Sequence, residues 1–127
     1  MKLVITKSIQ TAEFDPSAEI FPLDIIKTAA VKAIVGLGKN IKNSSKLTGT
    51  RLKKTNLTTS NGAGRVLFLL KIGRGKAVLV MLRHKNDKKI GGNMSVENPK
   101  FKKALEKNID MLLKDLKAGN YEEIDLQ

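Results

Sequence analysis

The chain of 127 residues has no cysteine and no tryptophan, one histidine, three prolines, and only four phenylalanines and one tyrosine. Without thiols there are no disulfides and no thiolate zinc sites. With a single histidine, a protein-only metal cage would need carboxylates drawn from the two ends of the chain, so neither a metal nor another cofactor is expected. So few aromatics leave little material for a platform on which single-stranded bases stack, and phosphate contacts must dominate any nucleic-acid binding. The most informative absence is of negative charge. From Ile25 to Asn86 there is no Asp or Glu, and all twelve acids lie outside that stretch.

What the stretch does contain is fourteen lysines and arginines, within a chain of net charge +12. A field of one sign selects a polyanion as partner, with nucleic acid first. No uninterrupted apolar run approaches the roughly 20 residues of a spanning helix. The N-terminus Met1-Lys2-Leu3-Val4-Ile5-Thr6-Lys7 lacks the apolar region and cleavage site of a signal peptide, so a cytoplasmic protein without a membrane partner is expected. The length and the 41% hydrophobic content fit one domain spanning 1–127.

Residues 2–6 are short and β-branched, which predicts a first strand. After Pro16 and Pro22, the residues Leu23, Ile26, Ala30, Ala33, Ile34 and Leu37 recur at helical spacing up to Gly36 or Gly38. Residues 39–64 are polar and glycine-bearing and read as loops around a short element containing Leu47 or Leu52. Two apolar runs, 66–72 and 77–82, flank Gly73-Arg74-Gly75 and predict a central β-hairpin in the middle of a covered sheet. A loop with Gly91-Gly92 follows. Asn98-Pro99 then reads as N-cap and first residue of a helix over 98–118, whose stripe of Phe101, Leu105, Ile109, Leu112, Leu113 and Leu116 is expected to pack on the protein's own sheet. The expected fold is α+β, with a small, mostly antiparallel sheet.

Pairing Ile72 with Lys76 across the hairpin loop sets Leu67 opposite Met81 and Arg65 opposite Arg83. A slip of one residue, or a bulge, sets Arg65 opposite His84 instead. In either register Arg65, Arg83 and His84 meet at one end of the hairpin, with Lys85, Lys88 and Lys89 in the loop leaving it. Like charges directly opposite are destabilising, so the arginine pair calls for a compensating partner such as a bound anion. The glycines at 62 and 64 are expected to allow a close approach of backbone or ligand. Solvated strand ends are also commonly charged, and a lone histidine is as often structural as chemical. RNA cleavage by internal attack of a 2′-hydroxyl needs a proton acceptor, a proton donor and positive charge around the phosphorane, all of which Arg with His or Lys can supply. A metal-dependent nuclease would need clustered carboxylates, which this stretch lacks.

Over residues 47–90 the chain resembles the RelE/ParE superfamily of type II toxin–antitoxin toxins. The resemblance lies in Leu47-Thr48-Gly49-Thr50-Arg51-Leu52-Lys53, in Gly64-Arg65-Val66-Leu67-Phe68, and in the strand closing with Arg83-His84-Lys85-Asn86-Asp87-Lys88. It implies a RelE-like fold and a toxin that inhibits translation as a metal-independent, ribosome-dependent mRNA endonuclease. Its partners would be mRNA, the ribosome and a cognate antitoxin protein. By the same resemblance Arg65, Arg83, His84 and Lys85 would be catalytic, and Arg51, Lys53, Lys54, Lys88 and Lys89 would hold RNA. Two other readings keep the cationic surface without this activity: a ParE-like inhibitor of DNA gyrase, and a non-catalytic nucleic-acid binder.

Overall fold

The computed structural model of the chain describes residues 1–41, 49–71, 73–87, 90, 94–95 and 97–126. Leu47, Ile72, Lys88, Lys89 and the Gly91-Gly92 pair lie outside the described residues. Strand β1 (Lys2–Thr6) opens the chain, buries Leu3, Val4 and Ile5, and is paired with a neighbouring strand on each edge. A helical run follows over residues 7–17, made of α1 (Lys7–Ile9), a single π turn (Gln10–Phe14) and α2 (Asp15–Ser17). Helix α3 (Leu23–Ile34) begins after Pro22 and turns Ile26, Ala29, Ala30 and Ala33 inward, so that its small residues let it lie close on β3, β4 and β5. Helix α4 (Pro99–Ala118) packs on β5, β1 and α1 through Phe101 and Leu112.

The sheet has six strands in the order β2 (Lys39–Ile41), β3 (Thr50–Thr59), β4 (Gly62–Lys71), β5 (Lys76–His84), β1, β6 (Tyr121–Asp125). All its joints are antiparallel except β1 with β5, which are parallel. The fold is therefore the expected α+β arrangement with a mostly antiparallel sheet, an N-terminal strand, a central hairpin and a C-terminal helix on it.

The stretch 39–64 differs from expectation. It holds β2, all ten residues of β3 and the start of β4. Leu52 and Leu57 are the only large apolar residues of β3 (Thr-Arg-Leu-Lys-Lys-Thr-Asn-Leu-Thr-Thr), too few for a local strand signal. The strand exists because all ten residues pair with β4 without a slip, and such cross-strand pairing outweighs intrinsic preference. Strand β6 was likewise unexpected in the acidic tail. It is held on β1 by charge as well as by the ladder: Asp125 pairs with Lys2, and Glu123 meets Lys76 at 2.9 Å.

Two contacts made by α4 hold the sheet and the 7–17 run in place. The register of β4 on β5 changes between Leu67 and Phe68, which face Met81 and Leu79, so Val80 is the extra residue of a bulge. Asn108, only 4% exposed, donates from Nδ2 to the Val80 carbonyl at 2.9 Å. Near the other end of α4, Asp115 Oδ2 accepts the Ser8 N–H at 2.7 Å in the first turn of the 7–17 run. That hydrogen bond holds the Asp115 carboxyl below the usual carboxylate range.

Replacing Asn108 by Ala strands a buried carbonyl and is expected to lower unfolding free energy by about 2 kcal/mol in denaturant titrations. For Asp115 the folded pKa is the lower one. Its stabilisation is thus complete above the unfolded carboxyl pKa near 4 and fades as pH falls below it. Thermal melts between about pH 6 and pH 3 should show Asp115→Asn destabilised at the upper end, with the gap to wild type closing toward the lower.

Candidate functional site

Two ladders without a slip at this end of the sheet put Asn56, Arg65 and Arg83 in one row across β3, β4 and β5. Side chains two residues apart share a face, so the next row on that face is Lys39, Lys54, Leu67 and Met81. The two arginines therefore oppose each other directly. The register reaches this pairing through the bulge at Val80, since nearer the turn Lys71 faces Lys76.

No anion is needed to hold the arginine pair. Arg65 Nε donates to Asn56 Oδ1 at 3.0 Å. Arg83 is gripped by Glu13, with Nε 3.0 Å from Oε1 and Nη2 2.8 Å from Oε2, while Nη1 lies 3.6 Å from Asp87 Oδ1. Glu13 is 2% exposed and also accepts the Leu82 N–H at 2.9 Å. The compensating partner that the opposed arginines call for is thus a carboxylate of the chain itself, brought in from outside the acid-free stretch. Because β1 runs parallel to β5 and is registered only against residues 76–78, the helical run after it lies along the rest of that edge. Glu13, on the π turn, takes up an edge N–H that a strand would otherwise use. Burial works against the Arg83 charge, but the hydrogen bond and field of Glu13, with Asp87, outweigh it and raise its pKa above the ordinary arginine value.

On the same face, Lys39, Lys54, Asn56 and Arg65 line a groove of about 760 Å³ whose other wall includes Met94, Ser95 and Glu97. Burial, the Arg65 charge and the Lys39 charge, in that order, lower the pKa of Lys54. A lysine so placed can exchange a proton more readily than one in water, and it does so beside two fixed positive charges.

The other expected residues are dispersed. His84 follows Arg83 in the strand and so faces away, in the row of Gly64 and Leu57. Its ring centroid lies 6.3 Å from that of Phe21, and its Nδ1 accepts the Asn86 N–H at 3.1 Å. The glycines here serve the protein's own packing. A Cβ at Gly64 would stand 2.5 Å from the Arg83 carbonyl and 2.6 Å from Phe21 Cζ, and one at Gly62 would stand 2.6 Å from His84 Nε2. Lys85 is exposed, and its N–H donates to the Ala63 carbonyl at 2.8 Å. Lys53, 4% exposed, faces away from Lys54 and donates from Nζ to Asn40 Oδ1 at 3.0 Å. Arg51 sits at the opposite end of the hairpin, beside Leu70 and Lys71 in a smaller cavity of about 250 Å³. Lys88 and Lys89 lie outside the described residues.

Lys39, Asn56 and Glu13 are the site residues that sequence reasoning missed. The first two become visible only once β2 and β3 are in register, and the last only once β1 is known to run parallel to β5. Among the described residues no group of histidines and acids is placed to hold a metal ion, and no helix is long and apolar enough to cross a membrane. No family model, curated protein or solved structure matches the chain.

Removing Arg83 leaves Glu13 charged and enclosed. Arg83→Ala is expected to destabilise the fold by about 3 kcal/mol, the low end for a broken buried pair because the guanidinium keeps some contact with water. Glu13→Gln in the same chain should recover part of that loss in a double-mutant cycle.

Proposed function

We propose that this protein is the toxin of a type II toxin–antitoxin pair and a metal-independent endoribonuclease that cuts mRNA on the ribosome in the cytoplasm. The observation that carries the catalytic reading is the desolvated Lys54, with its lowered pKa, between Arg65 and Lys39 in an open groove. The resemblance of residues 47–90 to RelE/ParE toxins supports the biological setting, including the ribosome and a cognate antitoxin as partners.

In the proposed step, neutral Lys54 takes the proton of the 2′-hydroxyl as its oxygen attacks the adjacent phosphorus. The P–O5′ bond breaks, the Lys39 ammonium gives its proton to the leaving oxygen, and the products are a 2′,3′-cyclic phosphate and a 5′-hydroxyl. Arg65, aimed by Asn56, holds the non-bridging oxygens with its planar fork and stabilises the charge that grows on them. Arg83 is a positioning residue in this scheme. Bound to Glu13, it ties the end of β5 to the helical run 7–17. His84 and Lys85 have no part in the step.

Expression is expected to arrest growth, with primer extension mapping new mRNA ends in the ribosomal A site. Lys54→Ala and Arg65→Ala should each lower the cleavage rate by two or more orders of magnitude, the usual scale for losing a general base or an oxyanion ligand. Lys54→Arg should stay inactive because a guanidinium does not release its proton near neutral pH. Growth arrest by Arg65→Ala equal to wild type would defeat the proposal. Intact mRNA accompanied by double-strand DNA breaks would point to gyrase inhibition instead.

A further inference from the structure

A phosphate site alone does not account for one residue of the groove. Beside Lys39, Lys54 and Arg65 the lining includes a carboxylate, Glu97. A carboxylate repels a phosphate backbone, so its place in this lining calls for another role.

Met94 and Asn98, on either side of Glu97, are each constrained. Met94 is buried and holds φ at +48°, a conformation that residues with a side chain seldom adopt and that persists where the surroundings enforce it, often beside a ligand. Asn98 donates from Nδ2 to the Ile90 carbonyl at 2.7 Å and accepts the Lys100 N–H on Oδ1 at 3.0 Å. Between them, the Ser95 carbonyl accepts the Asn98 N–H at 3.0 Å, and Ser95 Oγ accepts the Glu97 N–H at 3.3 Å. Glu97 itself is exposed. An exposed acid that lines the same groove as a cationic row can accept hydrogen bonds from a ligand whose phosphates the row holds.

We infer that Glu97 reads the base beside the bound phosphate, and that the base it selects is guanine. This rests on the proposed function, in which Lys54 and Arg65 bind an RNA phosphate. The Watson–Crick edge of guanine presents N1–H and the N2 amino group side by side, and a carboxylate can accept both at once. Adenine and cytosine pair one amino group with a ring acceptor, which repels the second carboxylate oxygen. Uracil offers one N–H between two carbonyls. Guanine alone matches both oxygens.

The test measures binding of fluorescent 2′-O-methyl hexanucleotides, which lack the attacking hydroxyl, to the full-length protein at fixed low salt. All carry uridine except at one central position, which is G, A, C, U or inosine. Wild type should bind the G oligomer about tenfold more tightly than the U oligomer, with inosine, which lacks the N2 amino group, between them. Glu97→Gln should reduce that preference to within about twofold while binding the U oligomer at least as tightly, since a repulsive charge is gone. Equal wild-type affinity for G and U oligomers, in a protein whose binding is weakened by Lys54→Ala and Arg65→Ala, overturns this inference alone. A G preference that survives Glu97→Gln does the same. Binding of no oligomer, or binding indifferent to Lys54→Ala and Arg65→Ala, removes the groove reading and this inference with it.

Discussion

The register of β5 on β4 decides which face of the sheet carries each charge, and it depends on the bulge at Val80. If the turn-side pairing, Lys71 with Lys76, continued unbroken, Arg65 would face Leu82 and Arg83 would face Gly64. Arg83 would then lie on the side of Phe21, where Gly64 leaves no room, and Glu13 would be buried without its partner. A slip of one residue reverses every side chain beyond it. The bulge is stabilised from outside the sheet, because the carbonyl it frees is taken up by Asn108 of α4. The C-terminal helix thus does more than cover the core: it fixes the position of an arginine on a strand it touches from the side.

Charge is distributed along the same lines. The acids outside the stretch 25–86 are shared unevenly among the cations of the chain. Glu13 and Asp87 take Arg83, while Glu123 and Asp125 of β6 take Lys76 and Lys2. Exposed pairs of that last kind contribute little stability, about 0–1 kcal/mol each. Their larger effect is on the field. They reduce the positive charge on the β5–β1–β6 side and leave the β2–β3–β4 side, with Lys39, Lys54 and Arg65, as the strongly cationic face of the sheet. A carboxylate in hydrogen-bond contact with Arg83 attracts it more strongly than a guanidinium farther away repels it. Arg83 can therefore sit opposite Arg65 without a ligand.

What the sequence revealed is what local chemistry determines. Strand β1, helix α3, the two apolar runs of the hairpin and the Asn98-Pro99 start of α4 each carry their signal within a few residues, and each is present. Strands β2, β3 and β6 do not, because Lys-rich, Thr-rich and Glu-rich segments become strands through partners far along the chain. The opposition of Arg65 and Arg83 was legible from the hairpin, but the carboxylate that satisfies it was not, since it depends on a parallel joint and a π turn. The separation of His84 from Arg83 was within reach: consecutive residues of a strand face opposite ways, and only their adjacency made them look like one cluster.

The clamp on Arg83 also bears on the chemistry of the groove. An arginine free to swing toward Lys54 would add a second strong charge to the one Arg65 already exerts. Held by two bonds to Glu13, Arg83 keeps its charge matched by a carboxylate that is itself out of water, so its field at Lys54 is largely cancelled. The pKa of Lys54 is lowered by burial, by Arg65 and by Lys39, in that order. A base must stay protonated often enough to be restored and neutral often enough to act, and too many cations around it would spoil that balance. Glu13 thus limits the number of uncompensated charges around Lys54, although it is not among the residues that line the groove.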